Sequence, residues 1–136
     1  MDLLKSIIVA ASGLRAQTNR MRVIAENIAN ANSTAPEKAA EPYRRRIPTF
    51  KTLFDKELGA DVVKPGRTAL DPSPFGQKFQ PGHPAADKNG YVRVPNVNTL
   101  VELTDMRQAQ RTYQANINVV RASRQMLSRT IDILRS

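Results

Sequence analysis

The last 38 residues of the chain, 99–136, contain neither Gly nor Pro. Nothing in their backbone therefore interrupts a single helix. At 1.5 Å per residue, such a helix is roughly 50 Å long, longer than a domain of this size is wide. A helix that outruns its own domain requires a covering surface outside its own chain. We therefore interpret this segment as an assembly element.

Apolar residues recur along this segment at helical spacing and form one seam. Five of these residues repeat at intervals of seven. Three more each lie three residues before one of the five. The seam consists of Met106, Tyr113, Val120, Leu127 and Leu134, together with Leu103, Ile117 and Ile131. We expect Asn98 or Thr99 to cap the helix, with Glu102 placed to complete a capping box.

A second seam begins near the start of the chain. Two series each repeat every seven residues: Leu4, Ala11, Thr18 and Ala25, and Ile7, Leu14, Met21 and Ile28. A period of seven over four heptads indicates a helix that packs lengthwise against another helix. Gly13 would allow a close neighbour. The stripe is rich in Ala, so we expect this helix to be only marginally stable by itself in water and to become ordered when it packs against a partner.

An Asn-rich segment, 25–33, ends this helix. Asn27 and Asn30 are three residues apart and share a helix face. They are either exposed or capping residues, because Asn competes for backbone hydrogen bonds there. Alternatively, they bond across an interface and fix its register, as a buried Asn does in coiled coils. The sequence leaves both interpretations open.

The middle of the chain has a different composition. All nine Pro residues lie between Pro36 and Pro95, so this region contains turns and short strands rather than helices. We predict strands within 43–54, with Pro48 marking an edge position, and more weakly within 61–64 and 75–80. Asn89-Gly90 predicts a type I′ hairpin turn leading into a strand at 91–94.

These patterns predict a mainly α fold with a small β insert. The N- and C-terminal helices are expected to pair as an antiparallel coiled-coil-like unit, with the Pro/Gly-rich irregular β region between them. The predicted segments are an N-terminal helix, 1–32, the insert, 33–98, and a C-terminal helix, 99–136, which together make one assembly domain.

The sequence offers little for catalysis. His83 is the only His and lies in a turn between Pro81 and Pro84, so we predict a loop imidazole at the surface. There is no Cys and no second His to complete a metal site. The carboxylates are scattered, and no Gly-rich phosphate loop or nucleophile elbow is present. We predict no catalytic residue, no metal and no cofactor, and therefore not an enzyme.

The net charge of +9 raises the question of an anionic partner. Its one dense run, Arg44-Arg45-Arg46, has a single Tyr beside it and no series of stacking aromatics, which favours a solvated basic surface. A basic helical nucleic-acid-binding protein remains the alternative from a different class. No apolar run is long enough for membrane insertion. A cleavable signal peptide is not expected, because Asp2 and Lys5 interrupt the pattern it requires.

The two ends of the chain also carry a recognisable pattern. The first part, 12–32, resembles the N-terminal signature of the flagellar rod, hook and hook–filament-junction proteins, on Ser12-Gly13-Leu14, Gln17, Arg20 and 25–32. The second part looks like the proximal-rod branch of that family, on 90–98, Glu102, Asp105-Met106 and Arg111 through Asn116. Another proximal-rod subunit of the family is the alternative within it.

The resemblance implies a structural subunit that is synthesised in the cytoplasm, exported by the flagellar type III apparatus and assembled into a torque-transmitting rod in the periplasmic space. Its partners would be other rod subunits, copies of itself and the export apparatus, without nucleic acid. The terminal helices would pair within and between subunits. The predicted assembly interface comprises Ile7, Leu14, Met21, Asn27, Ile28, Asn30, Met106, Tyr113, Asn116, Ile117, Val120, Leu127, Ile131 and Leu134.

Overall fold

Six short strands lie between two long helices along the chain in the computed structural model, which describes residues 2–37 and 40–136. The order along the chain is α1 Leu3–Asn30, β1 Arg46–Ile47, β2 Phe50–Asp55, β3 Ala60–Pro65, β4 Ala69–Leu70, β5 Gly76–Phe79, β6 Tyr91–Val94 and α2 Thr99–Arg135. The helices pack together. The mainly α fold with a small β insert is confirmed.

Side-chain caps fix where each helix begins. The Asp2 Oδ1 accepts hydrogen bonds from the backbone N–H groups of Leu4 and Lys5 at the start of α1. The Asn98 Oδ1 accepts from the N–H groups of Leu100 and Val101, so Asn98 is the cap predicted for α2. The capping-box role of Glu102 is wrong, because its carboxylate is buried and bonds elsewhere.

The strands form three separate two-stranded antiparallel sheets, which pair β1 with β4, β2 with β3, and β5 with β6. Strands occur in all four predicted regions. β4 was not predicted, because a two-residue strand carries almost no periodic signal. The insert therefore consists of pairs of strands rather than one sheet.

The turn before β6 differs from the prediction. β5 and β6 pair with Phe79 opposite Tyr91, so a long loop connects them rather than a two-residue turn. A type I′ turn requires positive φ at both central residues, whereas Asn89 lacks it and only Gly90 has it, at 83°. The Asp87 Oδ1 instead accepts from the N–H groups of Asn89 and Tyr91, and the Gly90 N–H donates to the Asp87 carbonyl.

The chain forms two compact units, and each helix contributes to both. Unit 1 comprises residues 1–21, 49–67 and 107–136; unit 2 comprises residues 22–48 and 68–106. The β2–β3 hairpin belongs to unit 1, and the other two sheets belong to unit 2. Each unit therefore joins residues from both ends of the sequence.

Small residues make the helix contact in unit 1. The most buried side chains there are Ala10 and Ala16 on α1, and Ala109 and Ser123 on α2. An ideal Cβ on Gly13 would lie 2.8 Å from the Asn116 Nδ2, so the missing side chain allows the close approach expected of this glycine. The larger seam residues Ile7 and Leu14 lie beside this contact and are half-buried.

The face of α1 that the heptad series defines is therefore only partly buried. Leu4, Thr18 and Ala25 are exposed, although the heptad series includes them. The buried residues of α1 are Ala10 and Ala16 in unit 1 and Val23, Ile24 and Asn27 in unit 2, and none of them belongs to either heptad series.

Unit 2 has a small aliphatic core. Val23 and Ile24 of α1 are almost fully buried, and Val92 of β6 packs with Ala85 and Ala86. These apolar contacts hold the loop between β5 and β6 against β6.

His83 lies in the same loop. Its Nδ1 accepts from the Ala85 N–H, and its Nε2 is 3.1 Å from the Thr34 Oγ1. Because Nδ1 is an acceptor, Nε2 carries the proton of the neutral imidazole and donates to the hydroxyl. The predicted surface imidazole is therefore a half-buried structural link between the loop and the segment after α1.

Candidate functional site

A buried polar cluster connects both helices to the start of the insert in unit 2. We call it the Asn27 hub; it consists of Asn27, Tyr43, Arg45, Arg46 and Glu102. The hub lies one turn before the end of α1 and in the first turn of α2. Its members come from three distant parts of the sequence.

Asn27 makes every hydrogen bond that its side-chain amide can make. Its Nδ2 donates to the Arg46 carbonyl at 2.8 Å and to the Glu102 Oε2 at 3.0 Å. Its Oδ1 accepts from the Tyr43 hydroxyl and from the Arg46 N–H, both at 2.9 Å. A fully buried amide with two donors and two acceptors satisfied specifies a single arrangement of its neighbours.

Of the two interpretations of the asparagines, the fixing of register therefore fits Asn27. The register that it fixes is the one between elements of the same chain. Asn30 behaves differently, because its Nδ2 donates to the Glu26 carbonyl of its own helix at 2.8 Å. That contact is local and ends α1.

Glu102 is buried together with its counter-ion. The Arg45 Nε donates to the Glu102 Oε1 at 2.6 Å, and the Arg45 Nη1 lies 3.3 Å from the Asp71 Oδ2. The Glu102 side chain is 1% exposed, whereas that of Arg45 is 21% exposed. A carboxylate at this depth is tolerated because the guanidinium and the Asn27 amide satisfy both of its oxygens.

The arginine run is only partly solvated, because Arg46 is exposed whereas Arg44 and Arg45 are half-buried. The Arg44 guanidinium lies 4.2 Å from the centre of the Phe75 ring and donates to the Asp71 and Ser73 carbonyls. The Arg46 Nη1 donates to the Glu26 Oε2 at 3.0 Å. Since Arg45 is paired as well, all three guanidinium groups serve contacts inside the chain, and the nucleic-acid alternative loses its main support.

Burial and charge shift three pKa values around the hub. Burial raises the pKa of Tyr43, against the opposing effect of the Arg46 guanidinium. Burial acts to lower the pKa of Arg45, but hydrogen bonds and charges from Glu102 and Asp71 raise it overall. Hydrogen bonds from Ser73, followed by Arg45, lower the pKa of Asp71. These shifts favour an ionised Arg45, an ionised Asp71 and a neutral Tyr43.

In unit 1, α2 extends beyond the start of α1. Gly13 faces Asn116, and the Arg20 Nη2 donates to the Gln108 Oε1, which sets an antiparallel register. At this register Leu3, the first residue of α1, falls opposite Met126. Residues 127–135 form the free end of α2, about 13 Å long. No residue in it is buried.

The free end is nevertheless apolar on one side. Leu127, Ile131 and Leu134 continue the seam and are 41%, 48% and 81% exposed. Ile133, 74% exposed, lies on another side of the same turns. Leu127, Ile131 and Leu134 therefore form an exposed apolar face on the free end.

A groove of about 720 Å³ opens in unit 1 between α1, α2 and the β2–β3 hairpin. We call it the hairpin groove. Apolar side chains dominate its wall, among them Val9, Phe50, Val63 and Val119. Gln17 also lines it, and the Gln17 Oε1 is buried with no hydrogen-bond partner among the described residues.

The predicted interface residues fall into three groups. Asn27 alone is fully buried, inside the hub. Leu127, Ile131 and Leu134 are exposed on the free end. The remaining members are half-buried along the two helices, namely Ile7, Leu14, Met21, Ile28, Asn30, Met106, Tyr113, Asn116, Ile117 and Val120.

Sequence reasoning missed Arg45, Glu102 and Tyr43 as hub members. Their only signal is that a Tyr and three Arg stand together within the Pro-rich insert, while an acidic residue lies in the first turn of a distant helix. The hub holds structure rather than a reaction centre. Across residues 2–37 and 40–136, no cluster of three His, Cys, Asp or Glu could hold a metal ion. Over the same residues, neither helix is apolar enough for its length to cross a membrane.

Two family profiles match the parts of the chain that contain the helices. The profile described as "Flagella basal body rod protein" matches residues 7–35. The profile described as "Flagellar basal body rod FlgEFG protein C-terminal" matches residues 88–133. Together they define the class as flagellar basal-body rod proteins.

Full-length relatives narrow this class. The chain is 45% identical over 128 residues to the flagellar basal-body rod protein FlgC of Agrobacterium fabrum, covering 94% of this chain and 92% of the relative. It is 37% identical over 134 residues to FlgC of Yersinia enterocolitica, covering 98% of each. It is 32% identical over 132 residues to FlgC of Aquifex aeolicus, covering 97% of each.

Identity of this extent over nearly the whole chain means that the chain belongs to the flagellar basal-body rod protein family. It is a structural subunit of the basal-body rod and not an enzyme. Membership also implies assembly with other rod subunits.

Proposed function

We propose that the chain polymerises through its terminal helices into the proximal, torque-transmitting part of the rod. Its neighbours would be further copies of itself and other rod subunits. The observation that carries this proposal is the free end of α2, which places Leu127, Ile131 and Leu134 in water with no part of α1 opposite them. Exposed aliphatic residues on a helix face favour association with a second helix or groove.

The proximal position and export by the flagellar type III apparatus are part of the same proposal. They rest on the resemblance of 12–32 to the flagellar rod, hook and hook–filament-junction proteins and of 90–116 to the proximal-rod branch. The Asn27 hub adds a physical reason for the rod role, because a tube made from heterologous contacts needs subunits with one fixed internal register.

The proposal is tested by complementation of a strain that lacks its own copy of this gene. Ile131→Asp places a charge on the seam side of the free end, and Ile133→Asp makes the same change on another side of the same turns. We expect the Ile131→Asp protein to be exported but not incorporated, so that cells do not swim. The Ile133→Asp protein should retain more motility.

Export and incorporation are measured separately, by the amount of chain in the culture supernatant and by its presence in purified basal bodies. Normal incorporation of both variants would refute polymerisation through this face. Retention of the unaltered chain in the cytoplasm of otherwise motile cells would refute export.

A further inference from the structure

We propose that His83 is a pH-sensitive link: its neutral ring holds the loop between β5 and β6 to the segment after α1, and its protonation releases that loop. We call the two hydrogen bonds of the ring the His83 link. It joins residues of unit 2 that lie 49 positions apart in the sequence, His83 and Thr34. The inference concerns the internal structure of the subunit and does not depend on the proposed function.

The two hydrogen bonds of the link require a neutral imidazole. The His83 Nδ1 accepts from the Ala85 N–H at 3.0 Å, and the His83 Nε2 donates to the Thr34 Oγ1 at 3.1 Å. A neutral ring has one acceptor and one donor nitrogen, which is what these two partners need. The ring is half-buried and Ala85 is buried, so water is a poor substitute for either bond.

Protonation is incompatible with this arrangement. Both nitrogens of an imidazolium are donors, so the Nδ1–H would point at the Ala85 N–H across a gap of 3.0 Å. The ring has to leave its position, and the hydrogen bond to Thr34 is lost with it. Within residues 2–37 and 40–136, no other hydrogen bond connects the loop, 80–90, to the segment after α1, 31–37. Protonation therefore removes the polar connection between these two segments.

The charged groups around the ring do not replace the link. The titratable side chains on the neighbouring elements are all exposed, namely Glu37, Asp87, Lys88, Tyr91 and Arg93. In the described part of the chain, no ion pair includes His83. Exposed charges act on the ring only through screened interactions. The hydrogen bonds of the link therefore decide which form of the ring this position accepts.

The pH range in which the link responds is narrow. Histidine is the side chain whose ordinary titration falls between about pH 5 and pH 8, and His83 is the only His of the chain. The lowered pKa of Asp71 keeps that carboxylate ionised throughout this range. A change of pH within it therefore acts on unit 2 mainly through His83.

The test measures hydrogen exchange of the Ala85 amide in the full-length chain by NMR, with each rate corrected for the intrinsic effect of pH. A free imidazole titrates near pH 6.5, so lowering the pH from about 7.5 to about 5.5 should raise the open fraction of the link about tenfold. We expect the corrected exchange rate of Ala85 to rise by the same factor. The nuclear Overhauser contact between the His83 ring and the Thr34 side chain should be present at the higher pH and lost at the lower.

His83→Asn is the matched control. The Asn Oδ1 can accept from the N–H two residues further on, as in an Asx-turn, and it does not titrate. In this variant we expect the corrected exchange rate of Ala85 to be the same at both pH values.

Three results would overturn the inference. One is an Ala85 exchange rate in the unaltered chain that does not change with pH. Another is a contact between the His83 ring and Thr34 that persists at the lower pH, as it would for a ring that titrates without leaving its position. The third is an equal rise of the exchange rate in His83→Asn, because the sensitivity would then come from another group.

Discussion

Asn27 and Glu102 lie 75 positions apart in the sequence, yet the Asn27 Nδ2 donates to the Glu102 Oε2 at 3.0 Å with both residues fully buried. This bond holds α1 against α2 at one register in unit 2. Sliding either helix by one turn, about 5.4 Å, would break it and leave a buried carboxylate oxygen without a donor.

Asn27→Ala removes four hydrogen bonds at once. It leaves the Glu102 Oε2, the Arg46 N–H and the Arg46 carbonyl without the partners that Asn27 supplies, so we expect a loss of about 3 kcal/mol in the free energy of unfolding. Asn30→Ala, which removes one local bond, should change it by less than about 0.5 kcal/mol. Urea unfolding followed by circular dichroism measures both. Similar losses for the two variants would show that the hub does not depend on Asn27.

The Arg45–Glu102 pair should behave as a buried ion pair. Arg45→Met leaves Glu102 charged and uncompensated, and we expect a loss of about 3 kcal/mol. Arg45→Met combined with Glu102→Leu should recover part of that loss, because no unpaired charge remains. The comparison is a double-mutant cycle in urea. Additive losses would indicate that the two side chains do not interact energetically.

Asp71 should make stability depend on pH in the acid range. Because Ser73 and Arg45 lower the pKa of Asp71 in the folded chain, the unfolded chain binds a proton first as pH falls. The stabilisation is complete above the unfolded pKa of about 3.9 and disappears as pH falls through the folded value. Thermal midpoints of the unaltered chain and Asp71→Asn should therefore differ at pH 6 and converge as pH falls below about 3.9. A gap independent of pH would contradict this, and Ser73→Ala should narrow it at pH 6.

Gly13 and Asn116 should be coupled. Gly13→Ala improves helix propensity by about 1 kcal/mol but puts a methyl group against the Asn116 amide. In an Asn116→Ala background that contact is absent, and we expect the full propensity gain to be measurable. In the unaltered background the gain should be smaller or reversed. Equal effects in both backgrounds would mean that Asn116 moves aside freely.

Gly90 should not tolerate a side chain. Its φ of 83° is in the left-handed region, and a Cβ there would lie 2.9 Å from the Phe79 ring and 3.1 Å from the Pro81 side chain. Gly90→Ala should therefore lower the free energy of unfolding by about 1–2 kcal/mol from backbone strain alone. Gly82→Ala, in the same loop with open space around it, is the matched control. Equal melting temperatures for the two variants would refute the strain.

The helices could be predicted because their signals are local. The heptad repeats and the absence of Gly and Pro from the last segment predicted helices at 1–32 and 99–136. The observed helices, 3–30 and 99–135, begin and end within two residues of those bounds. The buried face was harder, because a search for large apolar residues does not select Ala16 or Ala109. Close approach of two backbones depends on small side chains from both helices. The sequence of one helix does not reveal which of its small residues will face small residues of the other.

The hub could not be derived from the sequence because its bonds join distant residues. Three adjacent arginines look alike, yet Arg44 contacts Phe75, Arg45 contacts Glu102 and Arg46 contacts Glu26. The sequence position of Glu102 fits a capping box equally well. Burial decided between the two roles, and burial of a charged residue depends on the whole fold.

The most buried residues of α1 and α2 in unit 1 are Ala and Ser, and Gly13 lies against Asn116. Long side chains can change rotamer and alter the spacing of two helices, whereas a methyl group or a hydrogen atom cannot. In a polymer, dimensional errors of single subunits accumulate with length. A helix contact lined by small side chains limits such variation between subunits. This suits a subunit whose copies must all have the same dimensions.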